Sequence, residues 1–422
     1  MTNLPCRAGL LLVAAALGCA HAGTPENWPQ WRGPNDNGST SPGVYPQKWD
    51  PTNILWKAAL PGKGCSTPAV WAQRIFLTAP VGTEDAALAF DWQGRQVWQT
   101  TLGAEKQGKR GNSSGCNPSP ATDGSNVFVY FKSGTLASLD LAGKVAWQTN
   151  LVAAFGPESL FWDQGTSPVL TRDSVVIARM SHGDSWLAAF AKSDGQLRWK
   201  VARNYETAVE GDNSYTTPLV VDQEGKQSIL VWGGEHLTAH SADQGRLLWS
   251  CGDFNPKQVD YWPTVASPLV VGDRVIVACG RADRGQPRLY AIRLGGAGDV
   301  SATHRAWKRE DTGTFVPTPI EYQGRVYLVR DHGEVECLDP VTGQTLWRDA
   351  FPKDKASYYA SPVIAGATLY AAREDGVVFA AGLQPKFELR AENHLGEQII
   401  ASPVPVANRL FIRGEHHLFC IE

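Results

Sequence analysis

Three residues that return eight times constrain this chain more than anything else in it: a Ser or Thr, a Pro, and then a small or apolar residue. The prolines are Pro68, Pro120, Pro168, Pro218, Pro268, Pro319, Pro362 and Pro403. Their spacings of 52, 48, 50, 50, 51, 43 and 41 residues suit a repeat of four strands. The plainest copy leads from Thr318-Pro319-Ile320 into Gly324–Trp347. Its proline sits near the start of a strand, where the missing N–H does least harm. Val326–Val329 reads as a second strand, Asp331-His332-Gly333 as a tight turn and Val335–Leu338 as a third strand. Asp339-Pro340-Val341-Thr342-Gly343 then turns the chain into a short strand ending on Trp347.

The expected fold is all-β: an eight-bladed β-propeller of four-stranded antiparallel blades. Trp98, Trp147, Trp199, Trp249, Trp307 and Trp347 close blades one to six, and Phe387 stands in for the seventh. The last repeat stops at its third strand, Leu418-Phe419-Cys420-Ile421, whereas Ile54-Leu55-Trp56-Lys57 has the form of a closing strand with no blade of its own. The two termini are therefore expected to share the last blade, closing the ring without free radial edges. A length of 422 residues would by itself suggest about three domains, but the repeats overrule it. The domain division is 1–22 signal peptide, 23–52 irregular N-terminal arm and 53–422 propeller.

Residues 1–22 read as an export signal: Arg7 gives a positive start, Ala8–Leu17 is too short to span a bilayer, and Ala20-His21-Ala22 is a cleavage pattern. Ala16-Leu17-Gly18-Cys19 competes as a bacterial lipobox that would acylate Cys19. The expected location is periplasmic or extracellular, with a lipid anchor under the second reading. In that oxidising setting Cys65 and Cys116 are candidates for a bridge between neighbouring repeats, and Cys337 and Cys420 for buried thiols. A net charge of −3 gives no basic footprint for nucleic acid.

The pattern of Ser/Thr-Pro, strand, Gly, strand, Leu-Asp-x-x-x-Gly and strand-Trp resembles the pyrroloquinoline quinone (PQQ)-type propeller repeat. Leu139–Trp147, Phe190–Trp199 and Leu338–Trp347 match it best. The resemblance implies that the closing tryptophans dock between adjacent blades. It leaves two functional classes: quinoprotein dehydrogenases, and non-catalytic exported propellers such as the lipoprotein BamB of the outer-membrane β-barrel assembly machinery. The dehydrogenases commonly carry a vicinal Cys-Cys and a Glu, Asn and Asp set around calcium. This sequence has neither Cys-Cys nor Cys-x-x-Cys-His.

In a propeller the segments just ahead of the inner strands lie by the channel. Here they contain Asn112, Asn117, Trp162, Asp163, Glu210, Asp212, Asn213, Tyr215, Trp262, Tyr358 and Tyr359 as candidate binding residues. Carboxylates and amides could hold a hard cation, and aromatic faces could stack a sugar or planar cofactor. No nucleophile, base and orienter set is visible, so no catalytic residue and no resident metal is expected. The Gly103–Gly115 insert, with Lys106, Lys109 and Arg110, reads as flexible and solvated. The expected function is an exported, monomeric, non-catalytic scaffold binding a protein, glycan or other extended ligand on one face, with no transmembrane segment and no cofactor. The alternative is a PQQ-dependent alcohol or sugar dehydrogenase, using PQQ with calcium and Asp163 or Asp212 as base.

Overall fold

The computed structural model describes residues 27–422 except 51 and 53. The export signal expected over residues 1–22 and the competing lipobox expected at Cys19 lie outside the described residues. Eight antiparallel sheets stand around a central channel, and blade six shows the rule: Ile320–Tyr322, Arg325–Val329, Glu334–Leu338 and Thr345–Ala350 pair in that order. In the last blade Val404–Val406, Arg409–Arg413 and His417–Ile421 are completed by Ile54–Ala59, as the sequence implied.

The residue before each proline is biased toward an extended backbone, which frees its N–H and side chain for lateral bonds. The result is a closed ring of hydrogen bonds. Thr67 N–H donates to Ser119 Oγ (2.9 Å), Ser119 to Ser167 (2.9 Å), Ser167 to Thr217 (3.1 Å) and Thr217 to Ser267 (2.9 Å). Ser267 then donates to Thr318 (3.0 Å), Thr318 to Ser361 (3.0 Å), Ser361 to Ser402 (3.1 Å), and Ser402 back to Thr67 (3.0 Å). The repeated Ser/Thr is thus what joins blade to blade at the channel wall.

The tryptophans join the blades farther out. Trp98 donates its indole N–H to Leu141 O, Trp147 to Lys192 O, Trp199 to Ala242 O and Trp307 to Pro340 O, at 2.7–3.1 Å in every case. Each acceptor lies in the outer turn of the following blade. The glycine of that turn packs flat on the ring: Gly143 has φ of +85°, and a Cβ there would lie 2.6 Å from Trp98. Trp56 docks on Trp92 O of blade one in the same way (3.0 Å), so the ring closes through the contact that builds it.

Three seams differ. At blade five the turn is replaced by a glycine-rich loop, whose Gly298–Asp299 adds a parallel strand beside Trp249 and Ser250. At blade seven Trp347 keeps its place opposite Cys337, but its indole nitrogen has no partner among the described residues. The third difference corrects the expectation for Phe387. Tryptophans stand opposite Ala89, Ser138, Ala189, Ala239, Ala291, Cys337 and Cys420, and the matching residue of blade seven is Ala391, opposite Ala380. Phe387 precedes that strand and packs back on Phe351 and Trp347, with ring centroids 5.3 and 6.3 Å away. The face that carries Ala391 also carries Asn393, whose side chain accepts the Trp49 N–H (2.8 Å) and donates to Gln47 O (2.9 Å). Trp49 is buried in the same apolar cluster as Ala391, so the arm supplies a ring where the blade lacks one.

The arm is more ordered than its composition suggests. Trp28 exchanges backbone bonds with Val70 of blade one, and Pro29 O accepts the Thr122 N–H of blade two. Ser39–Thr40 pairs in parallel with Ile364–Ala365 of blade seven. Between these points the buried Arg32 donates to Pro319 O and Pro362 O (both 3.0 Å), and Gly38, with φ of +73°, turns the chain around the guanidinium. The arm crosses the lower end of the channel and closes it.

Cys337 and Cys420 are buried thiols facing Trp347 and Trp56. Cys65 and Cys116 are also free thiols, although Cys65 N–H bonds to Cys116 O (3.3 Å) across the seam.

Candidate functional site at the channel mouth

With the arm across its lower end, the channel becomes a cup of about 470 Å3. Trp31 forms its floor, held by an indole bond to Ser402 Oγ (3.3 Å). Seven of the eight ring residues line its waist, Ser267 being the exception. Its upper wall comes from the segments that precede the inner strands, which is where the sequence pointed.

Six of the eleven candidates reach this cup: Asn112, Asn117, Trp162, Asp163, Tyr215 and Tyr359. The other five do not. Asp212 pairs with His182 Nδ1 (2.8 Å) and lines a separate cavity of about 170 Å3. Glu210 takes a left-handed backbone, φ of +63°, and burial raises its carboxyl above the usual range despite Arg281. Asn213 is buried, with its carbonyl accepting Thr264 N–H (3.1 Å). Trp262 turns its indole N–H to Gln286 (3.3 Å) under the guanidinium of Arg288. Tyr358 is buried and stacks on Phe351. Of the neighbours Tyr358 and Tyr359, only Tyr359 lines the cup, so one segment sends only part of its residues to the channel.

Cup residues that the sequence reading missed are Trp31, Arg281, Asp283, Phe315, Asp331 and His332. Phe315 had the same signal as the candidates, a position just ahead of Thr318-Pro319. Arg281, Asp283, Asp331 and His332 come from turns between second and third strands, which meet the mouth from the same side. Asp331 accepts the N–H groups of Phe315 (2.8 Å) and Val316 (2.9 Å), fixing that stretch of wall.

Asp163 organises one side of the mouth. It forms a buried ion pair with Lys132 and accepts the Ser113 hydroxyl and the Lys109 N–H (2.7 Å). Burial pushes its pKa up, but these donors more than offset that and hold the carboxyl below its ordinary range. The Gly103–Gly115 insert is consequently fastened down, not flexible. Lys109 Nζ caps Leu160 O, Lys106 pairs with Glu158 (3.7 Å), and Arg110 lies over Trp162 and Phe161, 4.1 and 5.1 Å from the ring centroids. Insert and facing loop form a raised crest on which Phe161 remains 50% and Trp162 39% exposed. Farther around the rim Tyr261 N–H bonds to Val209 O (2.8 Å), and those side chains are 52% and 56% exposed.

These features define an eight-bladed propeller with one sealed and one open mouth, built from PQQ-type repeats. The family described as "Outer membrane protein assembly factor BamB" matches residues 42–184, 162–303 and 296–384, and the chain belongs to it. The protein of that name from Yersinia pestis is 28% identical over 264 residues, 60% of this chain and 58% of the relative, so the match spans less than two thirds of that protein. BamB from Moraxella catarrhalis superposes with a TM-score of 0.61 at 15% identity, over 87% of this chain and 99% of the other. The quinohemoprotein alcohol dehydrogenase of Comamonas testosteroni gives 0.68 at 12% identity, covering 95% and 81%. At these identities the structural likeness concerns the fold.

A quinone held with calcium, as in the dehydrogenases, requires acidic and amide oxygens free to converge on a cation. The carboxylates here do not converge. Asp163 is committed to Lys132, Asp212 to His182 outside the cup, and Asn117 Oδ1 to Ser114 N–H (2.9 Å) and its hydroxyl (3.1 Å). Among the described residues no three His, Cys, Asp or Glu side chains gather as a metal site. The residues present do not fit that cofactor, and Asp163 is poorly suited to act as a base because its oxygens already hold three donors.

Proposed function

We propose that this protein is an exported propeller that serves outer-membrane protein assembly by rigid display, presenting its open face to a protein partner. Family membership supports the setting, and the leader at residues 1–22, cleaved or acylated at Cys19, would place the chain in the envelope. The observation that carries the docking role is the crest of Arg110, Phe161 and Trp162. Half-exposed aromatics are held in place by cation–π contacts and by the Lys132–Asp163 tie beneath them. Such residues lose little freedom on binding, and aromatic and Arg side chains dominate interface energetics.

The test is complementation. In a host lacking the chain, the unaltered protein should restore the outer-membrane protein profile, and the Phe161→Ser, Tyr261→Ser double variant should fold normally yet fail to do so. Full restoration by that variant would remove the crest from the account.

A further inference from the structure

Below the docking crest lies a second, chemically different surface, the cup itself. We propose that it binds a neutral, hydroxyl-rich ligand: one or two sugar rings of an oligosaccharide. This goes beyond partner docking and rests mainly on other residues.

Charge is the first argument. Arg281 makes a two-pronged pair with Asp283, Asp163 is paired with Lys132, and Asp331 is occupied by two backbone N–H groups. An anionic ligand entering the cup would have to break a pair to obtain Arg281 or Lys132, and a cationic ligand would have to break one for Asp283 or Asp163 or share Asp331 with two backbone N–H groups. Losing one partner of a desolvated pair is costly, so both are disfavoured.

The aromatic rings add a second argument. Trp31, Trp162 and Phe315 line the cup, and each already carries a guanidinium over one face: Arg32 at 5.7 Å, Arg110 at 4.1 Å and Arg281 at 4.4 Å. A ring with a cation on one side is a poor seat for a second cation on the other, but its free face still stacks against the C–H face of a sugar.

The hydroxyl ring supplies the polar complement. Each ring oxygen accepts an N–H from the preceding blade, and none of the eight hydroxyls has an acceptor of its own among the described residues. The protons of the seven that line the waist remain to be donated to whatever occupies it, and sugar hydroxyls both accept and return such bonds. The volume of about 470 Å3 lies within the ordinary size of small-molecule sites, about 300–1,000 Å3.

The experiment titrates the purified protein with maltotriose, cellobiose and chitobiose, with digalacturonate and PQQ as charged comparators, by calorimetry and tryptophan fluorescence. At least one neutral sugar should bind saturably with one-to-one stoichiometry and more tightly than either charged probe. Phe315→Ala and Trp162→Ala should each weaken it about tenfold, equivalent to about 1.4 kcal/mol. Trp162 is partly exposed, so its variant should retain the parent melting temperature and remain interpretable if Phe315→Ala fails to fold. The proposal falls if no neutral probe binds, if digalacturonate or PQQ binds more tightly, or if folded Trp162→Ala binds unchanged. None of these outcomes bears on the complementation test of the crest.

Discussion

The two ends of the channel begin from the same repeated strands and finish differently. At the lower end the arm consumes the bonding capacity of the rim: Arg32 takes the carbonyls of Pro319 and Pro362, Trp28 pairs with Val70, and Ser39–Thr40 extends blade seven. At the upper end the same kind of tying is used to hold a surface open, since the Lys132–Asp163 pair fastens a crest whose aromatic rings stay half exposed. The lower mouth is occupied by the chain's own arm, whereas the upper keeps exposed loops, the part of a scaffold on which binding residues are usually found.

The largest expected effects separate these two kinds of tie. Asp163→Ala leaves Lys132 charged and buried without its partner, a loss of about 3–5 kcal/mol. Trp28→Ala removes a fully buried ring from the lower seal, a similar loss of about 3–5 kcal/mol. Denaturant midpoints should fall in both, but only Asp163→Ala should expose the 103–115 insert to limited proteolysis before global unfolding.

A middle-sized effect concerns the ring of hydroxyls common to both ends. Ser167→Ala deprives the buried Ser119 N–H of its acceptor and should cost about 1–3 kcal/mol. Smaller still is the contrast between two seams. Trp98→Phe removes the bond to Leu141 O and should cost at least about 1 kcal/mol, whereas Trp347→Phe, with no indole partner to lose, should cost less by that amount. Equal losses would show that shape alone docks the tryptophans.

The gentlest probe is pH. Burial pushes the Asp85 carboxyl up to about 7, against an ordinary 3.8, so the folded state holds a proton that the unfolded chain has released. Its contribution is therefore present at low pH and is lost as pH rises from about 4 to about 7. Asp163 is depressed, and its contribution is lost in the opposite direction, as pH falls below 3.8. Asp85→Asn should flatten the stability profile between pH 4 and 7 measured by thermal melting.

The ring was legible because its parts are local and repeated: a proline to start each inner strand, a glycine under five of the docking tryptophans, a third strand left unpaired at the C-terminus. Even the hydroxyl ring was written in the sequence, as the Ser or Thr before each proline, although its bonds join residues about fifty positions apart. What did not repeat was hard to read. Phe387 was assigned the seventh docking position by its place in the chain, but the strand pairing puts Ala391 there, opposite Ala380, and the arm brings Trp49 over the same face. The basic insert read as solvated because nothing local announces that Lys109 and Arg110 have partners at Leu160, Phe161 and Trp162. Only six of the eleven candidate residues line the cup for a related reason: position ahead of an inner strand selects the channel side of the molecule, but not which side chains enter the channel.

Site-specific photocrosslinking tests the division between sealed and open faces most directly. A photoreactive benzoyl-phenylalanine replaces Phe161 on the crest or Val44 on the lower face, which is 83% exposed and so no less accessible. Irradiated in the intact envelope, the Phe161 position should give a discrete protein adduct and the Val44 position none. An adduct from Val44 with none from Phe161 would contradict the assignment of the upper mouth as the working face.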